Sequence, residues 1–376
     1  MFNLGNNLKR SWQILWNYKV LWIFAFLLAL FTGRSGGSDS NGIRYTFGNE
    51  TRTPAGPLPG QWGVWSKQLE AWFMQNISPL FSTEARAFQT MLWVVLAIVL
   101  IALVFGLIAS LVRYPAESAI IRMVDEHAAT GKKVSFKEGW RLGWTRRAVT
   151  MFLIDLVLSV PVFLFVAIVL TVALVNLNAI ANANFSYTFT PATGIVILLL
   201  VLLTLVIGLI MLFLGIVRPF FVRAAAIEGK RFGEAFERGW QLFKNNFGKS
   251  LLMWITLVGI MIGLGFVMIA AALILIPAYV LLAIPGAIVA AIPGAIALGI
   301  ASIFTHPVLS WIISAIIAAP FFFIITFSPL ILIGGLVQLY SSNNWTLTYR
   351  QFAGMEQPPA LPATTPPTEA PSEPVQ

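Results

Sequence analysis

Asp155 is the one charged side chain inside any of the long apolar runs of this sequence. A carboxylate in apolar surroundings is expensive enough that it marks a candidate site by default, for a proton, an ion or a polar substrate. Its position also allows a purely structural part. It lies eight residues beyond Arg147, about 12 Å along a helix, close enough to a membrane surface to pair with Arg146, Arg147 or Arg218. The other residues that could do chemistry are few. Cysteine is absent, so thiolate nucleophiles, thiolate metal sites and disulfides are excluded. Two histidines cannot build a zinc centre without converging carboxylates. His127 follows Asp125-Glu126 and reads as a solvated loop residue, and His306 precedes Pro307 at a span boundary and reads as a turn residue. No phosphate-binding loop, HExxH, GxSxG or carboxylate cluster occurs. The expectation is a protein that is not an enzyme, with no catalytic residue, cofactor or metal.

The elements that must position Asp155 follow from composition and from a repeat. With 58% hydrophobic and 10% charged residues, the chain is a membrane protein. Its organising stretch is Phe232 to Lys249, where Phe232, Phe236, Trp240, Phe243 and Phe247 recur at the spacing of one helix face. Charged and polar residues fill the rest of the wheel, so the segment reads as an amphipathic helix along an interface, followed by an apolar run from Leu251. A second copy spans Val134 to Arg147, with Phe136 and Gly139-Trp140 matching Phe236 and Gly239-Trp240, and Gly131-Lys132 preceding it as Gly229-Lys230 precedes the other. Ser135 and Glu138 have capping-box spacing, which places the helix start at Ser135. A weaker third copy surrounds Trp12. Candidate interfacial anchors are therefore Trp12, Phe136, Trp140, Phe236, Trp240 and Phe243.

The spans come next. Val20–Phe31 is short, although Leu15 and Trp16 extend it and Lys19 can snorkel. Met91–Val112, the apolar run containing Asp155, Gly194–Val217, Leu251–Ile276 and Val308–Tyr340 are each long enough to cross. Arg113–Arg147 and Arg218–Lys249 read as polar connections with eight and seven Lys or Arg, whereas Asn176–Thr193 has no charge. Basic connections stay in the cytoplasm, so the N-terminus, both GW-containing segments and the tail are expected there. The fold class is all-α: a polytopic transmembrane helical bundle of about six spans in three hairpins, each preceded by a cytoplasmic amphipathic helix. Residues 1–350 form this domain. Within it, 33–89 is an external loop with an interfacial helix of its own, on which Trp65, Leu69, Trp72, Phe73 and Ile77 share a face. The proline-containing run 277–304 can be a re-entrant segment, an external hairpin or a further span, and the parity of the hairpins favours an irregular insert. Gly259 to Gly265 reads as a small-residue face for close helix packing. Residues 351–376 are expected to be a disordered, cytoplasmic, Pro-rich tail, with seven prolines in its last 22 residues. Of four N-x-S/T tripeptides, those at Asn49, Asn76 and Asn184 fall in external loops and that at Asn344 on the cytoplasmic side.

The net charge of +9 sits beside apolar spans, where membrane orientation accounts for it better than nucleic acid does. Trp12 with Asn17-Tyr18-Lys19-Val20-Leu21-Trp22, Glu228-Gly229 with Gly239-Trp240 and Asn245, and Trp345-Thr346-Leu347-Thr348-Tyr349-Arg350 together form a pattern. It resembles a group of uncharacterised prokaryotic polytopic membrane proteins, related in style to the membrane domain found beside some glycerophosphoryl diester phosphodiesterases. The hydrolase domain has no counterpart in this sequence, so the resemblance implies a membrane fold and no activity. The expected function is a non-enzymatic integral protein of the cell membrane that organises lipid or a protein partner at the inner leaflet. Membrane lipids are its expected partners, with a protein partner or a second copy of the chain also possible. The alternative is a transporter or permeation path for a neutral or lipidic substrate.

Overall fold

The computed structural model describes residues 3–32, 84–182, 191–304 and 307–355, together with positions 71 and 75. The external-loop helix, His306, the tripeptides at Asn49, Asn76 and Asn184, and most of the tail lie outside the described residues. Twelve helices make up the described chain: α1 Leu4–Asn17, α2 Val20–Thr32, α3 Glu84–Thr130, α4 Phe136–Gly143, α5 Arg146–Leu158, α6 Val160–Asn182, α7 Pro191–Ala226, α8 Phe232–Asn245, α9 Phe247–Ile274, α10 Ile276–Phe304, α11 Pro307–Thr326 and α12 Ser328–Phe352. The fold is all-α. Among the described residues three helices are long and apolar enough to cross a membrane, within Gly194–Ala226, Phe247–Ile274 and Ile276–Ile303, and the count reaches six if each bent pair, α1 with α2, α5 with α6 and α11 with α12, is one span. This is the pattern of a multi-pass membrane protein.

Two segments read as polar connections are largely helix. α3 runs on through Pro115 to Thr130 and α7 through Pro219 to Ala226, well past the apolar runs Met91–Val112 and Gly194–Val217. The reason is a second apolar pattern of helical period. Ala116, Ala119, Ile120, Met123 and Val124 are all fully buried in α3, as are Val222, Ala224, Ala225 and Ala226 in α7. His127 is accordingly not a loop residue. It sits in the last turn of α3, its Nδ1 3.0 Å from the Lys132 carbonyl. Both extensions are followed by a glycine in the left-handed region, Gly131 (φ 72°) directly after α3 and Gly229 (φ 67°) three residues after α7, where a side chain would be strained. The C-terminal helix α12 is followed in the same way by Gly354 (φ 71°).

α12 is the hub. It packs on α2 most extensively and also on α1, α3, α7, α9 and α11. Its last third, Ser341 to Arg350, is buried throughout, including Asn343, Asn344, Thr346 and Thr348. Asn344 is therefore a buried helix residue whose Nδ2 donates to the Tyr340 carbonyl at 2.9 Å. The proline-containing run is regular: α10 is one helix through Pro285 and Pro293, and it packs chiefly on α11. Gly286 and Gly294 permit that approach, because a Cβ on Gly286 would lie 2.8 Å from Thr326 Oγ1 and one on Gly294 3.1 Å from Ala318 Cβ. Close packing fails where it was expected. A Cβ on Gly259 or Gly263 meets nothing within 4 Å, because no described helix covers that face of α9.

Candidate functional site

The three copies of the repeat become α1, α4 and α8, and each is carried by one helical extension. α4 lies on α3, α8 on α7, and α1 on α12, so the last helix supports the first and the arrangement closes into a ring. α4 starts where Ser135 Oγ accepts from Glu138 N at 3.4 Å. α1 starts at Asn3, whose Oδ1 accepts from Asn6 N at 3.1 Å, and it turns through 97° into α2, so it lies across the end of that helix. α8 stops at Asn245. Phe247, the last member of the aromatic row, belongs to α9, although its ring stays 5.5 Å from that of Phe243.

Each of these helices turns to its support a face that includes small or short side chains. The buried residues are Asn7, Ser11, Ile14 and Leu15 in α1, Gly139 and Gly143 in α4, and Ala235, Gly239, Leu242 and Phe243 in α8. A Cβ on Gly239 would lie 2.5 Å from Phe221 Cδ1 and 2.9 Å from the Phe221 amide, so the two backbones touch. Gly143 rests on the Pro115 carbonyl and Gly139 on the Met123 thioether. The aromatic rings flank this contact. Phe236 lies against Phe221 (ring centroids 4.5 Å apart), and Phe243 is buried between Phe213 and Phe220. Trp240 points outward, 46% exposed, and so does Trp12, 52% exposed beside Trp16. Phe136 is exposed while Trp140, half-buried, lines up with Phe136 and Phe24. Among the anchors, then, Trp12, Trp240 and Phe136 have open faces, and Phe243 is a packing residue.

Arginines tie the ring together at helix C-termini, where the orphan carbonyls and the helix dipole favour a cation. Arg10 of α1 donates to the Ala128 carbonyl of α3 at 2.9 Å, Arg122 of α3 to Leu142 of α4 at 2.6 Å, and Arg147 of α5 to Ala226 at 2.7 Å and Ile227 at 3.2 Å. Burial, and after it the charge of Arg147, lowers the Arg122 pKa from its ordinary value, although a guanidinium stays charged at any physiological pH. α12 adds its own links: Arg350 pairs with Asp125, Tyr349 donates to Glu228 at 2.6 Å, and Gln351 and Asn7 exchange bonds of 2.7 and 3.0 Å. Glu228 also accepts from Arg238 of α8 at 3.2 Å.

Asp155 lies at the base of this ring, in a cluster of ions. Arg218 grips it with two bonds, Nε to Oδ1 at 2.6 Å and Nη2 to Oδ2 at 2.8 Å, and reaches Glu117 at 3.1 Å. Tyr114 donates to Oδ2 at 3.0 Å and Arg113 to the same oxygen at 3.3 Å. Of the three arginines expected near Asp155, only Arg218 pairs with it. Arg146 points to solvent and Arg147 caps α7, because they begin α5 while Asp155 lies two turns further on, facing α7. Arg113, Tyr114 and Glu117 were not singled out from the sequence. The available signal was the recurrence of an Arg beside a Pro at the end of two apolar runs, Arg113-Tyr114-Pro115 and Arg218-Pro219.

The cluster closes one side of a cavity of about 390 Å³. Gly106, Ala109 and Ser110 of α3, Phe152 and Leu156 of α5, Phe163 of α6, Met211 and Leu214 of α7 and Phe31 of α2 line the remainder. This volume lies in the range of small-molecule sites, roughly 300–1,000 Å³. Among the described residues no group of three or more His, Asp or Glu side chains could hold a metal ion. No curated protein and no solved structure matches the chain. Its membrane-spanning helices, GW segments and most of the hub helix fall inside a single match to a family model covering residues 3–344, and the chain belongs to that family, a family of unknown function designated DUF7544.

Proposed function

We propose that this protein is a non-enzymatic component of the cell membrane that organises lipid, or a partner held at the lipid surface, along the cytoplasmic leaflet. One observation carries the reading: three amphipathic helices are fixed at one end of the bundle on equivalent supports, with Trp12 and Trp240 turned outward. Close docking through Gly, Ala and Ser leaves Trp12, Phe136 and Trp240 exposed for another surface, while Phe236 and Phe243 pack on the bundle. Indole is suited to the headgroup level. Lysine and arginine on the same helices favour an anionic leaflet, by about 1 kcal/mol each near the surface. The α1–α2 bend of 97° suits a helix lying in the plane of the membrane. The N-terminus and both GW segments are cytoplasmic on this reading, since the basic residues gather at their end of the bundle.

Fluorescence quenching by brominated lipid tests it. In proteins retaining only Trp240 or only Trp140, lipid brominated near the headgroup should quench more than lipid brominated deep in the acyl chain. Trp240 should respond more strongly, because Trp140 is partly covered by Phe24 and Phe136. Insensitivity of both indoles to both lipids would remove the basis for the reading. The second reading, a permeation path for a neutral or lipidic substrate, draws on the cavity beside Asp155. Purified protein in vesicles that moves solute or scrambles lipid would favour it.

A further inference from the structure

The ion cluster is unevenly bonded, and the imbalance faces the cavity. Asp155 Oδ2 receives three donors, Arg218 Nη2 at 2.8 Å, Tyr114 OH at 3.0 Å and Arg113 Nη2 at 3.3 Å. A carboxylate oxygen offers about two lone-pair directions, so the longest of the three bonds is the dispensable one. Arg218 is meanwhile engaged by both Asp155 and Glu117. Arg113 has that one long bond and a stacking contact with its neighbour Tyr114, and its side chain, part of the cavity lining, stays 26% exposed. The hydroxyls of Ser110 and Ser159 in the same lining already donate to the Leu107 and Leu156 carbonyls at 2.6 and 2.8 Å. Arg113 is thus a cation with donors to spare at the polar end of a cavity whose other walls are apolar. The rim residues Leu156 and Phe163 are exposed on the outer surface of the bundle, 44% and 54%, so the cavity opens sideways, toward the bilayer.

We propose that this cavity binds one bilayer phospholipid, its phosphodiester held by the Arg113 guanidinium and the upper part of one acyl chain lying against α3, α6 and α7. The planar fork of arginine matches two phosphate oxygens at once. The position suits a headgroup, since Arg113 stands where the apolar run of α3 ends while Gly106 lies seven residues into it, about 10 Å deeper. A volume of about 390 Å³ accommodates a headgroup and part of a chain rather than a whole lipid, leaving the rest in the bilayer. The proposal rests on the reading of the protein as one that organises lipid, and makes Arg113 and its cavity a specific site within it.

The test is native mass spectrometry of the full-length protein in detergent, titrated with phosphatidylglycerol, with diacylglycerol of the same chains, or with inorganic phosphate. The expected result is one phosphatidylglycerol retained per chain, in preference to diacylglycerol. Arg113→Gln should weaken retention about tenfold or more, the loss of one hydrogen-bonded charge, and abolish the preference. Gly106→Leu should weaken both lipids, and it should fold, because a Cβ there meets nothing within 4 Å. Arg146→Gln, at an exposed site outside the three amphipathic helices with no bond to the cluster among the described residues, should change nothing. Equal retention by the native chain, Arg113→Gln and Gly106→Leu would overturn the proposal, as would equal binding of the two lipids by the native chain. Binding of inorganic phosphate alone, without dependence on acyl chains, would overturn it in favour of a soluble anion. Tryptophan quenching by brominated lipid is independent of Arg113, so the site can fail while the surface reading stands, and the reverse.

Discussion

At the scale of single residues, Asp155 is a tie between helices before it is anything else. Its carboxylate joins α5 to α7 through Arg218 and to α3 through Arg113 and Tyr114, with the Arg218 and Asp155 side chains only 12% and 13% exposed. Removing one member of a buried pair leaves the other uncompensated, which costs roughly 3–5 kcal/mol. Asp155→Asn should therefore destabilise the purified protein by about 3 kcal/mol, read from denaturant unfolding in detergent. Asp155→Asn combined with Arg218→Gln should lose less than the sum of the two single changes, since each alone strands a charge. Arg146→Gln, at an exposed site that makes no bond to Asp155, should stay within about 0.5 kcal/mol of the native chain. Equal losses for Asp155→Asn and Arg146→Gln would contradict the cluster. The sequence made Asp155 and Arg218 legible because each is isolated beside an apolar run. It left Arg113 and Glu117 out because their approach depends on the relative rotation of α3 and α7, which no spacing within one helix records.

The elements are legible by their large residues, while the closest approaches between them are made at their small ones. The aromatic row correctly marked α8 as an amphipathic helix with one buried side, yet the closest approach to α7 is through Ala235, Gly239 and Leu242, at steps of four and three. Small residues carry little weight in a hydrophobic pattern, so the docking face was written in the sequence without being conspicuous. The same holds for the extensions of α3 and α7, where alanines supply much of the buried period and charged neighbours disguise it. The two glycines of α8 separate the effects. At Gly239 a methyl group meets the Phe221 amide at 2.9 Å and the Phe220 carbonyl carbon at 3.0 Å, backbone that cannot turn aside. Gly239→Ala should cost about 2 kcal/mol through overpacking and increase exchange of the α8 amides with solvent deuterium. At Gly233 nothing lies within 4 Å, so Gly233→Ala should stabilise by about 0.5–1 kcal/mol through helix propensity alone. If Gly239→Ala proved as harmless as Gly233→Ala, α8 would not be seated on α7 as described.

For the whole molecule, the ring sets the path of the uncharged stretch from Ser250 to Tyr349. α9 leaves the charged end at Phe247, and α12 comes back to it, because Arg350 pairs with Asp125 and Gln351 with Asn7. Any path that leaves one face of a bilayer and returns to it makes an even number of crossings. α9, with 28 residues, reaches about 42 Å, enough for the opposite face, while the first 13 residues of α12, before the buried stretch Ser341 to Arg350, cover about 20 Å of the return. The α10–α11 hairpin therefore begins at the far face and ends where α12 starts, beyond the middle of the bilayer, and it either dips back toward the charged end or stays on the far side. Its surface decides between these. Ile276, Val280, Ile284, Ile288, Ile292, Ile296 and Ile300 form a row along α10, every one at least half exposed in the chain, and such a row belongs in lipid. The hairpin should therefore dip back through the membrane, with Ser302 near the charged end and Ile274 near the opposite face. The sequence left this run ambiguous because prolines that break helices in water are tolerated within a membrane. The absence of native cysteine makes the check direct: a membrane-impermeant maleimide should label Ser302→Cys from the same side as Arg141→Cys, and Ile274→Cys from the other. Labelling of Ser302→Cys and Ile274→Cys from one side would place the hairpin outside the bilayer and require another surface to cover its isoleucines.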